Sequence, residues 1–397
     1  MKKIIRYLHL WLSIPFGLII AVVCFSGAAL VFEPEIMKLC YPSRYYVEAV
    51  REAPLPLAQL IAAANRRLPD SAPIANVQIP ASPRESYRLG FPGRGTPPLF
   101  VDPYTGAVCD RPSAQGSFFS TMRRLHRWLL DDFKYGEGAS TGKIVVGVST
   151  LVFVFIIIAG IIMWIPKSRK GLRANLSIKL GASRKRLWRD LHVALGIYTA
   201  LILLALALTG LTWSFSWYRN GFYRVFGAEP PQMVARQGGN SGTPSRGEGN
   251  RGENRRDGGV NYSQWQVVAE KLRAQYPRFK SLTIQNGRAS VSLSSTGNVR
   301  ATDSYTFDPA TGDITGATLY KDADRAGKLR GWIYSVHVGS WGGMATRILT
   351  FLAALFGATL PLTGYYLWIS RRIRRWRKCC AKPGKPKMSI IRIEFID

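Results

Sequence analysis

Four histidines, His9, His126, His192 and His337, are the only ones in 397 residues, and each stands at the end of a long apolar run. His9 and His192 open two such runs; His126 and His337 precede the other two. An ionisable side chain at membrane depth is costly and marks a functional site by default. Histidine is also the commonest metal ligand. Four in this setting, with none elsewhere, make haem iron the first ligand to consider. Two imidazoles can hold one b-type haem from both sides, which leaves no open position and favours electron transfer over oxygen chemistry. Zinc or copper has less support, because no carboxylate or thiolate cluster accompanies the histidines and the five cysteines contain no CxxC.

The elements that must position these residues are membrane spans. Apolar stretches at Tyr7–Phe32, Ile144–Ile165, Leu191–Trp217 and Ile348–Ile369 each reach the roughly 20 residues a helix needs to cross a bilayer. They lack strand alternation, and lipid admits only helices and closed barrels. The expected fold class is an α-helical membrane protein with a four-helix transmembrane bundle, and the lipid bilayer is its first partner. Basic residues orient it: Lys2, Lys3 and Arg6 precede the first run, Lys167 to Arg189 fill the second connection, and Arg371 to Lys378 follow the fourth run. The positive-inside rule places these regions, and both termini, in the cytoplasm. The net charge of +30 therefore has a topological explanation, and no nucleic-acid partner is expected. The first run exceeds the roughly 7–15-residue core of a secretory signal. It is read as an uncleaved anchor, with cleavage near Ser26–Ala29 as the alternative.

The two halves repeat. Leu8-His9 is followed eighteen residues later by Gly27, and Leu191-His192 eighteen residues later by Gly210. Gly160 stands four residues before Trp164, as Gly364 does before Trp368, and Lys143 and Arg347 each lie twenty-one residues before those tryptophans. Outside the spans, Asp102-Pro103-Tyr104-Thr105-Gly106 precedes His126 and Asp308-Pro309-Ala310-Thr311-Gly312 precedes His337. Each DPxTG is a turn signal. It joins strand-like runs at Pro98–Val101 and Ala107–Cys109 in one half, and at Ser304–Phe307 and Asp313–Ile314 in the other. Helical stretches come earlier, near Leu57–Arg67 and Gln264–Tyr276. One small α+β domain per half is expected.

The resulting organisation is a first span at 1–33, an outside domain at 34–125, an interfacial segment at 126–143 and a second span at 144–166. A basic loop at 167–189, a third span at 190–217, a second outside domain at 218–343, a fourth span at 344–370 and a basic tail at 371–397 complete it. Within the second domain, 229–259 is rich in Gly, Asn and Arg and reads as a disordered linker. Cys40 and Cys109 both fall in the first outside segment, where a disulfide would persist; their spacing leaves the pairing open.

The LH…[ST]G spans, the DPxTG turns, Leu125-His126-Arg127 and the GxxxW span ends resemble the PepSY-associated transmembrane family, across both halves. The family includes bacterial inner-membrane ferric-siderophore reductases. The resemblance implies PepSY-like periplasmic domains, a multi-pass protein of the bacterial inner (cytoplasmic) membrane, and haem on transmembrane histidines. It further implies reduction of a ferric siderophore in the periplasm with electrons from the inside.

Topology sorts the histidines by depth. His9 and His192 fall near the cytoplasmic face, expected to hold an inner haem; His126 and His337 fall near the periplasmic face, expected to hold an outer one. Two haem b are the expected cofactors. Eighteen residues are about five helical turns and roughly 27 Å, so Gly27 and Gly210 share faces with His9 and His192 at the other end, with room there for the outer macrocycle. Gly160 and Gly364 fall where the inner macrocycle would be. Close helix packing by small residues is the ordinary explanation for all four. Arg6, Arg123 and Arg189 each precede a histidine by three residues, on the same face, and are placed to meet haem propionates. Membrane anchoring explains Arg6 and Arg189 equally well; Arg123 lies outside and is the more informative. Trp213, Trp217, Tyr218, Trp332, Tyr334 and Trp341 form an interfacial belt or border a substrate cleft.

The leading expectation is a ferric-siderophore reductase, a transmembrane electron conduit with ferric siderophore as substrate. No GxGxxG opens a βαβ unit, so the electron donor is separate: a flavoprotein, a cytoplasmic reductant or membrane quinol. The alternatives are a non-redox PepSY membrane protein that binds peptides or inhibits a protease, and an accessory component of a siderophore uptake system.

Overall fold

Along the chain run α1 (Lys2–Val31), α2 (Glu33–Cys40), α3 (Pro42–Tyr45), α4 (Leu57–Arg67), β1 (Asn76–Pro80), β2 (Tyr87–Gly90), β3 (Leu99–Val101) and β4 (Val108–Asp110). Next come α5 (Phe118–Trp128), α6 (Thr141–Trp164), α7 (Arg169–Leu176), α8 (Arg184–Ser214) and α9 (Ser216–Val225). The last elements are α10 (Tyr262–Gln275), β5 (Ser281–Gln285), β6 (Arg288–Ser292), β7 (Thr302–Phe307), β8 (Ile314–Thr318), α11 (Arg325–His337) and α12 (Gly343–Cys380). This computed structural model describes residues 2–67, 73–93, 96–112, 117–131, 140–166, 168–230, 261–293 and 297–380. Nearly all of the expected linker, Lys167, residues 132–139 of the interfacial segment and the tail beyond 380 lie outside the described residues. The chain divides into a helical unit (Met1–Ala28, Arg123–Leu208 and Thr350–Asp397) and a sheet-bearing unit (Ala29–Met122 and Thr209–Leu349).

Four helices, α1, α6, α8 and α12, are long and apolar enough to cross a membrane. Within the helical unit Ile157 of α6, Ala200 and Leu203 of α8 and Leu360 of α12 share one apolar cluster. Gly17 admits α12 close to α1: a Cβ there would lie 2.7 Å from the Tyr365 hydroxyl, which donates to the Ile14 carbonyl. Small residues serve close helix approach in this way in membranes. Large apolar side chains point outward, Leu18 at 62% and Leu201 at 75% exposure among them. In water that surface would cost about 25 cal/mol per Å²; against lipid tails it costs nothing.

In the sheet-bearing unit the strands of both halves lie in one antiparallel sheet of order β4-β3-β2-β1-β5-β6-β7-β8. The two four-stranded halves join through β1 and β5, with Val77 opposite Ile284 and Ile79 opposite Leu282. Alternation sorts the faces: in β7, Asp303, Tyr305 and Phe307 turn inward while Ser304 and Thr306 remain exposed. One shared core results, in which Leu60, Ile61, Val77 and Leu89 of the first half meet Trp265, Leu272, Leu282 and Ile284 of the second. Burying each such side chain contributes about 1.5–3 kcal/mol, so the two halves stabilise each other across one core. Cross-half hydrogen bonds reinforce this, Leu57 N–H donating to Gln266 Oε1 at 3.1 Å and Arg273 Nη2 to the Tyr87 hydroxyl at 2.7 Å.

The two DPxTG segments fold alike. The Asp102 carbonyl accepts from Gly106 N–H at 2.9 Å, and that of Asp308 from Gly312 N–H at 2.8 Å. Their carboxylates accept from Tyr104 N–H and Ala310 N–H. Gly106 and Gly312 sit at φ +70° and +75°, which a side chain would strain. The turns lead from β3 to β4 and from β7 to β8 as expected, while β1, β2, β5 and β6 are additional. Cys40 is exposed, and both Cys40 and Cys109 are free thiols.

Candidate functional site

His9 lies on α1 with Nδ1 3.0 Å from the Ile156 carbonyl of α6. His192 lies on α8 with Nδ1 3.2 Å from the Leu360 carbonyl and 2.7 Å from Thr363 Oγ1, both on α12. A carbonyl only accepts, so each Nδ1 carries the proton and the lone pair belongs to Nε2. Thr363 itself donates to Leu360 O at 2.7 Å, which leaves its oxygen to accept from His192. Such a second-nitrogen bond fixes tautomer and ring orientation and raises the basicity of the other nitrogen.

His126 repeats the arrangement from α5, its Nδ1 2.9 Å from the Val23 carbonyl. Burial pushes this imidazole below its ordinary pKa, which keeps the ring neutral and able to ligate. His337 ends α11 with Nδ1 3.1 Å from Thr209 Oγ1, and the Trp213 ring packs edge-on at 5.0 Å.

Each of the four glycines faces a histidine. A Cβ on Gly160 or Gly364 would lie 3.5 or 3.6 Å from Cε1 of His9 or His192. On Gly27 or Gly210 it would lie 2.9 or 3.1 Å from Cε1 of His126 or His337. Ile156, Leu360 and Val23, whose carbonyls bond Nδ1, stand four residues before Gly160, Gly364 and Gly27. The glycine therefore opens the wall one turn beyond the acceptor.

The His9 and His192 rings are 6.5 Å apart between centroids, their planes at 89°. Two metal–imidazole bonds of roughly 2 Å, plus the reach from each nitrogen to its ring centre, sum to roughly 6 Å. Both rings line a cavity of about 960 Å³ inside the helical unit, together with Gly160, Gly364, Trp164 and Trp368. That volume is at the upper end of the roughly 300–1,000 Å³ typical of cofactor sites. Arg6, Lys185, Arg189, Arg371, Arg372 and Arg374 line it too, and none of its lining residues is a carboxylate. The buried Asp190, two residues before His192, is held by Arg186 at 2.8 Å. Among the described residues no group of three His, Cys, Asp or Glu side chains is placed to hold a metal. The donor set is thus two neutral imidazoles, apolar walls and a cationic rim, which fits a b-type haem with its carboxylates.

Of the expected propionate partners, Arg6 and Arg189 line this cavity and Arg123 is exposed on α5. His126 belongs to the helical unit and His337 to the sheet-bearing unit, so their pairing rests on the sequence repeat. Helix α5 is seated firmly. Leu129 and Leu130 after it adopt φ +52° and +67°, and Asp131 accepts from Gly142 N–H at 2.9 Å. A Cβ on Gly142 would fall 1.8 Å from the Trp128 carbonyl. Sequence reasoning missed Thr209 and Thr363. The doublets Thr209-Gly210 and Thr363-Gly364, both in the second half, were the available signal.

Four helices long and apolar enough to cross a bilayer define a membrane protein, and two of them carry the His9 and His192 pair. The chain belongs to the PepSY-associated TM region family, whose match spans residues 6–371. No curated protein sequence matches it.

Proposed function

We propose that the chain is a di-haem b electron-transfer protein that reduces an Fe(III) chelate of the siderophore class. The observation that carries this reading is the His9/His192 pair: 6.5 Å apart, in one cavity, each Nδ1 bonded to a neighbouring helix. When bound, haem b supplies a reversible one-electron carrier. The chain's own residues do the rest. The Ile156 and Leu360 carbonyls hold both imidazoles in the tautomer that presents Nε2. Gly160 and Gly364 leave space beside the rings, the apolar walls exclude water, and Arg6 and Arg189 offset carboxylate charge. The sequence repeat assigns His126 and His337 to a second pair of ligands.

One electron converts Fe(III) to Fe(II), for which the hard oxygen donors of a siderophore are poorer ligands, and the metal becomes labile. The positive-inside rule puts the cationic end of the helices in the cytoplasm of a bacterial inner membrane, and the substrate on the periplasmic side. The donor is a separate flavoprotein, cytoplasmic reductant or quinol. Purified protein should show a b-type Soret band that shifts on reduction, with about two haems per chain. A ferric hydroxamate should reoxidise the reduced form and yield Fe(II). A folded, haem-free protein would overturn the proposal.

A further inference from the structure

The residue before each ring-facing glycine carries a hydroxyl at three places and not at the fourth. Ser26-Gly27, Thr209-Gly210 and Thr363-Gly364 have one; Ala159-Gly160 does not. Thr363 and Ala159 are equivalent in the repeat, since each precedes the glycine that faces one histidine of the inner pair. The two imidazoles of that pair are therefore held differently. His192 Nδ1 lies 2.7 Å from Thr363 Oγ1 and 3.2 Å from the Leu360 carbonyl. His9 Nδ1 lies 3.0 Å from the Ile156 carbonyl, and the Ala159 methyl adds no acceptor.

A threonine inside a helix commonly donates to a carbonyl three or four residues back. Thr199 and Thr359 do so to Leu195 and Phe356, and Thr363 does so to Leu360 at 2.7 Å. Thr363 differs in having an imidazole at its oxygen, and it is buried, at 3% exposure. Its hydroxyl proton is already committed, so its lone pairs accept from His192 Nδ1–H. In such surroundings hydrogen bonds are electrostatically stronger than in water, and linked ones polarise each other. An acceptor on Nδ1–H raises the basicity of Nε2. A more basic Nε2 is a better donor to a metal and favours its higher charge.

We infer that Thr363 is a positioning residue that lowers the reduction potential of the inner centre: by accepting from His192 Nδ1–H it makes His192 the stronger of the two axial ligands and biases the iron toward Fe(III). This rests on the haem reading above and adds to it an inequality between the two ligands and the residue that creates it. Ala159 is the other side of the same inference. A hydroxyl at that position, three residues after Ile156 as Thr363 is after Leu360, would give His9 the acceptor that His192 already has. The lower potential makes the inner centre the stronger reductant toward whatever accepts its electron.

The test is a spectroelectrochemical titration of haem-loaded, detergent-solubilised full-length protein. The component of the titration that disappears in His192→Ala belongs to the inner pair. Thr363→Val keeps the side chain's shape and removes the acceptor. Loss of one neutral hydrogen bond predicts a roughly threefold to tenfold higher Fe(II)/Fe(III) ratio at a fixed potential. For one electron that is an upward shift of about 30–60 mV in the inner component, with the other component unmoved. Thr363→Ser keeps the hydroxyl and should titrate as wild type does. Ala159→Thr should move the inner component downward by a similar factor. An unshifted or lowered inner potential in Thr363→Val, or an equal rise in Thr363→Ser, would each overturn the inference. Should Thr363→Val fail to fold, Ala159→Thr decides alone, and an unshifted or raised potential there sinks it. Wild type that carries no haem overturns the cofactor reading and this inference with it, and is recognised before any variant is made; haem-loaded variants with unmoved potentials overturn this inference alone.

Discussion

The helical and sheet-bearing units use the same duplication in opposite ways. In the helical unit the copies of a chemistry-bearing residue meet: His9 and His192 lie 6.5 Å apart in one cavity, each beside its own glycine. In the sheet-bearing unit the copies lie edge to edge, β1 on β5, and what recurs is the turn. Asp102 with Gly106 and Asp308 with Gly312 keep one hydrogen-bond pattern, while the residue between them changes from Tyr104 to Ala310. Tyr104 gives its hydroxyl to the Pro83 carbonyl, a bond Ala310 cannot make. The recurring side chains of the helical unit meet around one cavity, whereas the recurring Asp, Pro, Thr and Gly of the sheet-bearing unit hold the same turn at two separate places.

Substitutions should separate the two. The largest effect is expected from His192→Ala, which removes one of two axial ligands. Haem content, read from the pyridine haemochrome, should fall by about one per chain, while Gly312→Ala leaves it unchanged. Equal haem loss from both would erase the distinction between site and scaffold.

Next in size is a contrast among the glycines themselves. An alanine in a helix is ordinarily better than glycine by roughly 0.5–1 kcal/mol. At Gly27 its Cβ would press on His126 at 2.9 Å, and overpacking of this kind costs about 1–3 kcal/mol. At Gly160 the 3.5 Å spacing to His9 is ordinary contact. Thermal unfolding should show Gly27→Ala less stable than wild type and Gly160→Ala no less stable. The reverse order would remove the argument that ring contact sets these glycines.

Gly312→Ala should lower stability by about 1–2 kcal/mol through left-handed backbone strain. Its Cβ would also meet Gln264 Oε1 at 2.8 Å. Denaturant unfolding measures this, with an unchanged visible spectrum as the control.

The smallest effect concerns Glu35 at the foot of α2. Arg347, which the repeat aligns with Lys143, binds both of its carboxylate oxygens. That hydrogen bonding holds the Glu35 carboxyl below its ordinary pKa. A depressed carboxylate contributes stability above the unfolded value, about 4.3, and loses it as pH falls through the folded value. Glu35 is 38% exposed, so the contribution is about 0.2–1 kcal/mol. Glu35→Gln should flatten the acid side of the melting-temperature profile below about pH 4.5 and leave neutral-pH haem content intact. An unaltered acid limb would show the pair to be inert.

Much of the site was legible because its signals are local or rigidly periodic. Span hydropathy placed α1, α6, α8 and α12; eighteen-residue and four-residue spacings tied histidines and tryptophans to glycines. The DPxTG turns were legible because Asp, Pro and Gly act on adjacent backbone. The single sheet was not. Pairing β1 with β5 joins segments about two hundred residues apart, and five-residue strands such as Ser281–Gln285 give too few alternations to register. The Nδ1 partners of His9, His126 and His192 were invisible for another reason: they include the backbone carbonyls of Ile156, Val23 and Leu360, which any residue type presents.

The central claim is that His9 and His192 ligate one metal centre from opposite sides. Near-infrared magnetic circular dichroism of the oxidised protein tests it most directly, comparing wild type with His192→Ala. The account predicts a low-spin bis-histidine charge-transfer band, with the part due to the inner site lost in the variant. A high-spin spectrum in wild type, or an identical spectrum in folded His192→Ala, would contradict it.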